Sequence, residues 1–416
     1  MSYIVDNKKE AERIQREKIA VRMIDRIAEG LIDVSKRLHA HPELGGEEHY
    51  AVTAVSAYLD EQGFTVREDL SENGHYPILK TALRADKGGT EQGQYDSNDI
   101  SSQGRLLNNA YKMAFLGEYD ALPGLGHGCG HNLIAMMSIG AAVGFSEAMP
   151  EVVTTFFGCP AEETVGGKVF MSEAGLFKPY DAALIIHPGG CNELGGTSLA
   201  THPLEVRFTG RSAHVASLVD RGINALDAAV VFYRKVMDIK NEFGSAAVIG
   251  AIFTEAGQAP NVIPDKATVR LTVRSHTVDH LEEVVLPRIR NAAAEAAAEI
   301  GAAVETEHYE PLFKEMKEDL TLRSIVGDTM KEFGFEPRLL PEDEADGSTD
   351  VGNVSHDIPT VQPTLNIGDG LEIHTPAFAA AAGSDEGYRR AVIGAKIMAV
   401  AAIRYYYEKR GQYVKY

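Results

Sequence analysis

Four apolar, strand-like runs of this 416-residue chain are each followed by side chains that can bind a metal. The runs are Met113–Leu116, Val152–Gly158, Ala182–Ile186 and Thr360–Ile367. The donors that follow them, in the same order, are Cys129 and His131, Glu162 and Glu163, His187, and His374. In doubly wound α/β folds the carboxyl ends of buried strands share one edge of the sheet, where ligands bind. The pattern therefore predicts an α/β fold that gathers these side chains, whereas scattered core histidines would not share an edge.

The densest of these segments is Gly117–Asn132, which holds two acids, two histidines, a cysteine and five glycines. Only Gly130 separates Cys129 from His131, so a loop can turn both side chains toward one point. A thiolate and an imidazole together suit zinc, manganese or cobalt. A helix is predicted from Leu133, and its macrodipole is expected to lower the thiol pKa of Cys129. A glycine-rich turn without a metal is the alternative, and this segment alone leaves it open.

Composition and charge narrow the function classes. The formal net charge is −20, which argues against binding to nucleic acid or to an anionic membrane, because both require a basic face. No apolar run reaches the roughly 20 residues that a membrane span needs. The N-terminus lacks an apolar signal region. The three cysteines are a small and odd number, which does not suit a disulfide framework. These features predict a cytoplasmic protein.

The order of predicted elements divides the chain into three parts. Residues 1–200 and 316–416 follow the α/β pattern and are predicted to form one catalytic domain. Residues 201–315 follow the order β-α-β-β-α-β of a ferredoxin-like unit and are predicted to be an inserted domain. Within it, Pro287 is expected to kink a helix over Val278–Ile300. Residues 86–108 are polar and glycine-rich, which favours a surface loop or hairpin over a substrate contact.

The donor set predicts hydrolytic chemistry. Five residues are the candidate ligands of one ion, with a second ion as an open alternative: Cys129, His131, Glu163, His187 and His374. A metal lowers the pKa of its bound water toward about 7, and Glu162 would take the proton and pass it to a departing amine. The alternative for Glu162 and Glu163 is a solvated surface pair. Asp120 is predicted to orient a ligand histidine and Glu118 to bind a second metal, with capping of the following turn as the alternative for both.

Several sequence motifs, and the order in which they occur, resemble those of the dinuclear-metal exopeptidases and amidohydrolases that include aminoacylase, carnosinase and glutamate carboxypeptidase. The chain is most similar to the cysteine-containing amidohydrolase branch, with its aminobenzoyl-glutamate hydrolase subunits and related dipeptidases. The motifs are His41-Pro42-Glu43, Gly117–Pro123, His127–Asn132, Pro160–Glu163, Gly210–His214, Asn261–Asp265, Gly347–Asp350 and His374–Pro376. One departure is that Glu118 occupies the place of a metal-binding histidine of the wider family, which leaves the count at one or two ions per subunit.

The resemblance implies a zinc-exopeptidase-like catalytic domain whose inserted ferredoxin-like lid mediates dimerisation, giving a homodimer or a higher homo-oligomer. It implies the same five ligands and Glu162 as the base. It also implies that His214 reaches the active site of the partner subunit and stabilises the oxyanion, and that Asn261 contacts substrate. By itself His214 would be taken for a turn histidine. Ser348 and Thr349 are implied to help bind a substrate carboxylate.

The resulting prediction is a metal-dependent amidohydrolase or peptidase that cleaves N-acyl or N-aminoacyl amino acids, including dipeptide and aminobenzoyl-amino-acid substrates. One rival is a deaminase, which would release ammonia from an aromatic or amidine substrate without a second organic product. A rival of another class is a non-catalytic protein that binds metal or peptide on the same fold. Retained metal without turnover would favour that second rival.

Overall fold

The computed structural model describes residues 2–89, 110–216, 221–345 and 347–413. Most of the predicted 86–108 loop, residues 90–108, therefore lies outside the described residues. The chain forms two compact units. The first comprises residues 1–196, 317–342 and 353–416, and the second comprises 197–316 and 343–352. Among the described residues, no helix combines the length and apolar character that crossing a membrane requires.

Helices and strands alternate through the first unit and change rhythm in the second. The helices are α1 Ser2–Ala40, α2 His49–Glu61, α3 His131–Ala148, α4 Gly167–Glu173, α5 Ala225–Phe243, α6 Leu286–Ile300, α7 Leu320–Glu332, α8 Val351–Asp357, α9 Pro376–Ala382 and α10 Asp385–Tyr413, and Val278–His280 forms a further single turn. The strands are β1 Thr65–Glu68, β2 Leu83–Lys87, β3 Lys112–Glu118, β4 Val153–Cys159, β5 Ala182–Leu184, β6 His187–Gly189, β7 Glu193–Thr197, β8 Ala200–Thr209, β9 Ala247–Glu255, β10 Lys266–Ser275, β11 Ala303–His308, β12 Arg338–Ala345, β13 Thr360–Val361 and β14 Thr364–Asn366. Strand β2 begins only at Leu83, because Pro77 starts a 3-10 turn that runs to Thr81.

The first unit is built on a six-stranded sheet with the order β1-β2-β4-β3-β5-β13. Strands β4, β3, β5 and β13 are parallel, β2 pairs antiparallel with β4, and β1 pairs antiparallel with β2. The side chains of β4 and nearly all of those of β3 are buried, as expected for parallel strands that are covered on both faces. The register pairs Glu118 with Cys159, so β3 and β4 end side by side.

Helix α3 packs against α1 and α10 and is buried over almost its whole length. Two glycines permit this close approach. A β-carbon at Gly140 would come within 2.9 Å of Leu31 and Ala395, and one at Gly144 would come within 2.7 Å of Ile24. Because β3, the following loop and α3 are fixed by the core, the side chains between them have defined positions.

One of the predicted strands is divided between two sheets, because the run 360–367 becomes β13 followed by β14. The run 182–186 forms β5, and β6 follows it from His187. Strands β5 and β13 pair in the six-stranded sheet, whereas β6 and β14 pair in a four-stranded sheet with the order β12-β7-β14-β6. Pro363 lies between β13 and β14 and has no N–H to donate to a sheet, which explains why the ladder is interrupted there.

The second unit has the predicted ferredoxin-like order, with the antiparallel sheet β11-β8-β10-β9. The buried side of this sheet and the inner faces of α5 and α6 form its core. The segment predicted as one helix from Val278 begins with a single turn and a π-helical stretch over Leu281–Val285, and α6 follows. The wider π turn precedes Pro287, which cannot donate the hydrogen bond that an unbroken helix would need.

Candidate metal centre

The loop between β3 and α3 positions the first pair of donors. Gly130, with φ of 80°, adopts the left-handed conformation just before α3, and its N–H bonds the carbonyl of His127 at 3.1 Å. The turn leaves no room for a side chain at Gly130, since a β-carbon there would lie 2.6 Å from Pro188. Cys129 and His131, on either side of Gly130, are both buried.

Burial raises the pKa of the Cys129 thiol well above its ordinary value; the neighbouring His131 opposes this increase, whereas the carboxylates of Glu163 and Glu162 add to it. The expectation that the helix dipole would lower this pKa is therefore wrong for the chain by itself. Removal from water outweighs the dipole, which is partial and acts only near the helix end. A buried thiol of this kind becomes a thiolate when it coordinates a cation.

His131 is held by Asp120. Its Nδ1 lies 2.9 Å from one Asp120 oxygen, and the other Asp120 oxygen accepts a hydrogen bond from the Glu163 N–H at 3.0 Å. Burial by itself would raise the Asp120 pKa, but the His131 ring and these hydrogen bonds bring it below its ordinary value. With Nδ1 bonded to Asp120, the remaining lone pair of the ring is at Nε2. This is the arrangement in which a carboxylate fixes the tautomer of a metal-binding histidine.

Glu162 and Glu163 lie in a tight turn after β4. Ala161, directly before them, has φ of 58° although it is not glycine, and its carbonyl accepts a hydrogen bond from the Gly166 N–H at 2.8 Å. The Glu163 side chain is only one tenth exposed, and its Oε1 lies 3.7 Å from His131 Nε2. Glu162 is half-buried, and a carboxylate oxygen of Glu162 lies within 4.8 Å of donor atoms of both Glu163 and His131.

Two further histidines lie close to these donors, His187 on the four-stranded sheet β12-β7-β14-β6 and His374 on a loop. His187, the first residue of β6, has Nδ1 2.7 Å from the Pro188 carbonyl and Nε2 3.3 Å from Cys129 Sγ. His374 has φ of 63°, and its N–H donates to the Gly128 carbonyl at 2.8 Å. Its Nε2 lies 3.5 Å from Glu163 Oε1. The five predicted ligands are thus close together, in two sets of donor atoms that each lie within 4.8 Å of one another: Cys129, His131 and His187, and Cys129, Glu163 and His374.

The observed donors fit a divalent transition metal. The Nε2 of His131 and the Oε1 of Glu163 are buried, and neither makes a hydrogen bond within the part of the chain that the structure describes. Buried polar atoms are normally bonded, and an ion between these two would satisfy both. A thiolate, three imidazoles and a carboxylate form the mixed soft and borderline set that zinc, manganese or cobalt accepts.

A buried lysine beside this cluster was not foreseen from the sequence. Lys168 on α4 is fully buried, and its Nζ lies 2.6 Å from Glu118 Oε1. The other Glu118 oxygen is 3.4 Å from His131 Nε2. Burial opposes ionisation of Glu118, but the Lys168 ammonium and nearby histidines bring its pKa below the ordinary value. The only signal in the sequence was a lone charge near the start of the otherwise apolar run Lys168–Met171.

Four other predicted site residues belong to the second unit. His214 and Asn261 are exposed neighbours, because the Val215 N–H donates to the Asn261 carbonyl at 3.2 Å. The Ser348 hydroxyl bonds the Leu199 carbonyl at 2.8 Å. The Thr349 hydroxyl accepts a hydrogen bond from the Val351 N–H at 3.3 Å. Both hydroxyls are therefore used within this unit, and their part in binding a substrate carboxylate stays a prediction.

Comparisons with known proteins place this geometry in a family. Residues 203–303 match the model of the M20 peptidase dimerisation domain. Mouse Xaa-Arg dipeptidase is 32% identical over 92% of this chain and 87% of its own length. One of the p-aminobenzoyl-glutamate hydrolase subunits of Escherichia coli is 29% identical over 73% of this chain and 62% of its own length.

The fold agrees with the sequence comparisons. The solved structure of the Bacillus subtilis YXEP protein, described as a dinuclear metal-binding peptidase of the M20 family, superposes with a TM-score of 0.64 at 21% identity. That match covers 91% of this chain and 99% of the other. The α/β architecture with an inserted dimerisation domain and the predicted amide-hydrolase activity are both confirmed by these relatives. The chain belongs to the M20 family of metal-dependent peptidases and amide hydrolases.

Proposed function

We propose that Cys129, His131, Glu163, His187 and His374 hold the metal of an amide-hydrolysing centre, with Glu162 as its general base. One observation carries this proposal: His131 Nε2 and Glu163 Oε1 are buried 3.7 Å apart, without a hydrogen-bond partner among the described residues. Glu162, which directly precedes Glu163 in the same turn, supplies a second carboxylate. Such a pair allows one acid to bind metal while the other handles protons.

The proposed steps use this chain's own groups. When bound, a divalent metal would make water more acidic and polarise the scissile carbonyl. Glu162 accepts a proton as the water oxygen adds to the carbonyl carbon. It then gives that proton to the amide nitrogen as the C–N bond breaks, and the acid and the amine leave. Asp120 keeps His131 in the tautomer whose Nε2 is available, so its part is orientation rather than proton transfer.

The substrate class is an N-acyl or N-aminoacyl amino acid. Because the mouse relative is named an Xaa-Arg dipeptidase, we propose dipeptides with a C-terminal basic residue as the first candidates. Conjugates of the aminobenzoyl-glutamate type are the second, since a bacterial relative is named for that substrate. The two differ in the charge of the leaving amino acid.

An assay on the wild-type protein tests the proposal. The protein is stripped with a chelator, reloaded with manganese, zinc or cobalt, and supplied with dipeptides ending in arginine or lysine, other dipeptides, N-acetyl amino acids and aminobenzoyl-glutamate. We expect metal-dependent release of acid and amine in equal amounts from at least one class. Ammonia as the sole amine product would favour a deaminase. Metal retained without any turnover would favour a binding protein.

The number of ions is part of the same proposal. Glu118 is engaged by Lys168, and its carboxylate belongs to none of the three-donor sets found among the described residues. Five donors then serve the centre, which supports one tightly held ion with a second, weaker one. Elemental analysis after dialysis against graded chelator would reveal two ions of equal affinity if this assignment were wrong.

We propose that the protein is a homodimer joined through β9. Strand β9 ends the sheet of the second unit, with a neighbour on one side only in the strand order of the described residues. It exposes Val248, Ile252 and Phe253, of which Ile252 is 63% exposed. An exposed apolar edge strand is available for pairing with a second chain, and the matched family model is named for dimerisation.

In this dimer His214 would act on substrate held by the partner subunit, with Asn261 beside it. Mixing two inactive variants, Glu162→Ala and His214→Ala, provides the test. If His214 acts across the dimer, each mixed dimer regains one intact site, whereas action within one subunit leaves every site damaged. Recovery of roughly a quarter of wild-type activity is expected for random mixing of a two-fold symmetric dimer, and no recovery would contradict the arrangement.

A cytoplasmic location belongs to the proposal as well. It is supported by Cys129, Cys159 and Cys191, none of which forms a disulfide, as is usual in a reducing compartment. Cell fractionation that follows the amidase activity against marker enzymes would test it.

A further inference from the structure

The turn that carries Glu162 and Glu163 has an unusual backbone. Ala161 lies in the left-handed region, with φ of 58°, where residues with a β-carbon are rarely found. Such a conformation persists only when surrounding contacts hold it. Because Ala161 immediately precedes Glu162, whatever holds Ala161 also sets the direction of the proposed base.

The contact that holds Ala161 comes from a buried acid far away in the sequence. Glu48 is completely buried, and its Oε1 accepts a hydrogen bond from the Ala161 N–H at 2.7 Å. Its Oε2 accepts hydrogen bonds from the Gly46 N–H at 2.8 Å and from the Thr81 hydroxyl at 2.6 Å. Three donors from three segments therefore converge on one carboxylate. Burial raises the pKa of Glu48 to about 7, which shows that loss of water opposes ionisation of the carboxyl group at this position. The three hydrogen bonds favour the carboxylate in spite of that.

Capping of a helix does not explain this side chain. Glu48 is the residue just before α2, but its side chain makes no capping hydrogen bond. Glu43 caps that helix instead, because its two oxygens accept hydrogen bonds from the N–H groups of Tyr50 and Ala51, each at 2.9 Å. The Glu48 side chain is turned away from its own helix and toward Ala161.

The other partners of Glu48 connect it to the β3 loop. The Thr81 carbonyl accepts a hydrogen bond from the Tyr119 hydroxyl, and Tyr119 lies between Glu118 and Asp120. The segment before Glu48 also lies directly against the turn, since a β-carbon at Gly45 would come within 2.9 Å of the Ala161 Cα. Glu48 thus joins the turn of Glu162 to the loop that holds His131.

We propose that Glu48 is a positioning residue, which acts through its hydrogen bond to Ala161 to hold Glu162 in its working direction. The inference rests on the proposed function of Glu162. Glu48 touches neither the predicted ligands nor the reacting atoms in this arrangement. Its loss should therefore reduce the rate of the chemical step while leaving the metal and substrate affinity in place.

The test compares Glu48→Ala and Glu48→Gln with the control Glu43→Gln, which loosens the cap of α2 but does not touch the turn. For each protein we would measure bound metal by elemental analysis, kcat and KM, and the thermal unfolding midpoint. We expect Glu48→Ala to keep wild-type metal content and a KM within about twofold, while kcat falls by about 10²-fold, as for a misplaced catalytic group. Glu48→Gln keeps one acceptor for Ala161 and should lose about tenfold in kcat.

Several outcomes overturn the inference. It fails if folded Glu48→Ala keeps kcat within twofold of wild type, if metal and kcat fall together, or if Glu43→Gln loses as much kcat as Glu48→Gln. If Glu48→Ala does not fold, the nearly isosteric Glu48→Gln decides with the same measurements. Failure of the proposed function would look different, because the loaded wild-type protein would then cleave none of the amides.

Discussion

The metal cluster of the first unit and the β9 edge of the second unit depart from ordinary protein chemistry in opposite ways. Around His131, polar atoms are buried without enough hydrogen-bond partners among the described residues. Along β9, large apolar side chains such as Ile252 are exposed to solvent. Buried unsatisfied polar atoms and exposed apolar patches are the two informative exceptions to normal burial. Each region requires something that one chain does not supply, an ion in the first case and a protein surface in the second.

The largest expected effect is at the base beside the cluster. Glu162→Ala should lower kcat by about 10³-fold, because the attacking water loses its proton acceptor, while bound metal stays at the wild-type amount. Glu173→Gln, at the exposed end of α4, is the matched control. Steady-state kinetics and elemental analysis measure both quantities. A parallel loss of metal and activity would indicate instead that Glu162 is itself a metal ligand.

The next effect concerns the thiol. Cys129→Ser should weaken metal binding by roughly 10²-fold, since a hydroxyl is a poor substitute for a thiolate and even indirect support of a ligand is worth 10- to 100-fold. The exposed Cys191→Ser change provides the control. Chelator competition monitored by elemental analysis gives the affinities. Equal affinity in the two variants would remove Cys129 from the centre.

The opposite side of the comparison is tested at the β9 edge. Ile252→Lys should raise the dimer dissociation constant by roughly 10- to 100-fold, because an apolar side chain that the dimer would bury becomes a charge. Leu320→Lys changes a residue of the first unit that is similarly exposed, at 60%, and should leave association unchanged. Sedimentation velocity over a dilution series measures both. An unaltered dimer in Ile252→Lys would mean that β9 is exposed for another reason.

The smallest effect comes from His202, a buried imidazole of the second unit that belongs to none of the donor sets found among the described residues. Burial lowers its pKa to about 3, with the nearby His308 and Arg290 adding to the decrease. Below pH 6.5 the unfolded chain then binds a proton that the folded one rejects, so stability is lost as the pH falls. The free energy of unfolding should drop by about 2 kcal/mol between pH 7 and pH 5 from this group.

Urea unfolding at the two pH values measures this loss. His202→Phe should reduce the pH dependence by the contribution of this one imidazole, whereas the exposed His276→Phe should retain it. If both variants kept the same slope, another group would be responsible. The difference between His202 and His131, which Asp120 holds, would then be weaker, because burial of His202 would not lower the free energy of unfolding at acidic pH.

Much of this molecule could be predicted from pattern. Parallel strands end at one edge, so Cys129, Glu163 and His187 could be expected to meet, and the β-α-β-β-α-β order identified the inserted unit. The raised pKa of Cys129 could not be predicted in this way, because the degree of burial depends on segments far away in the sequence. Lys168 and Glu48 were missed for the same reason. A charged residue is expected to be solvent-exposed until the fold reveals the opposite charge or the hydrogen-bond donors that surround it.

The change of sheet between β5 and β6 has a consequence for how relatives of this chain can vary in length. The residues of β5 and β6 pair with those of β13 and β14 at the same offset before and after the change, as Leu184 pairs with Val361 and His187 pairs with Thr364. The two connectors are therefore matched in length. An insertion in one of them would need an equal insertion in the other, or His187 would be carried out of reach of Cys129. Alignments of active relatives should show paired gaps at these two places, or none.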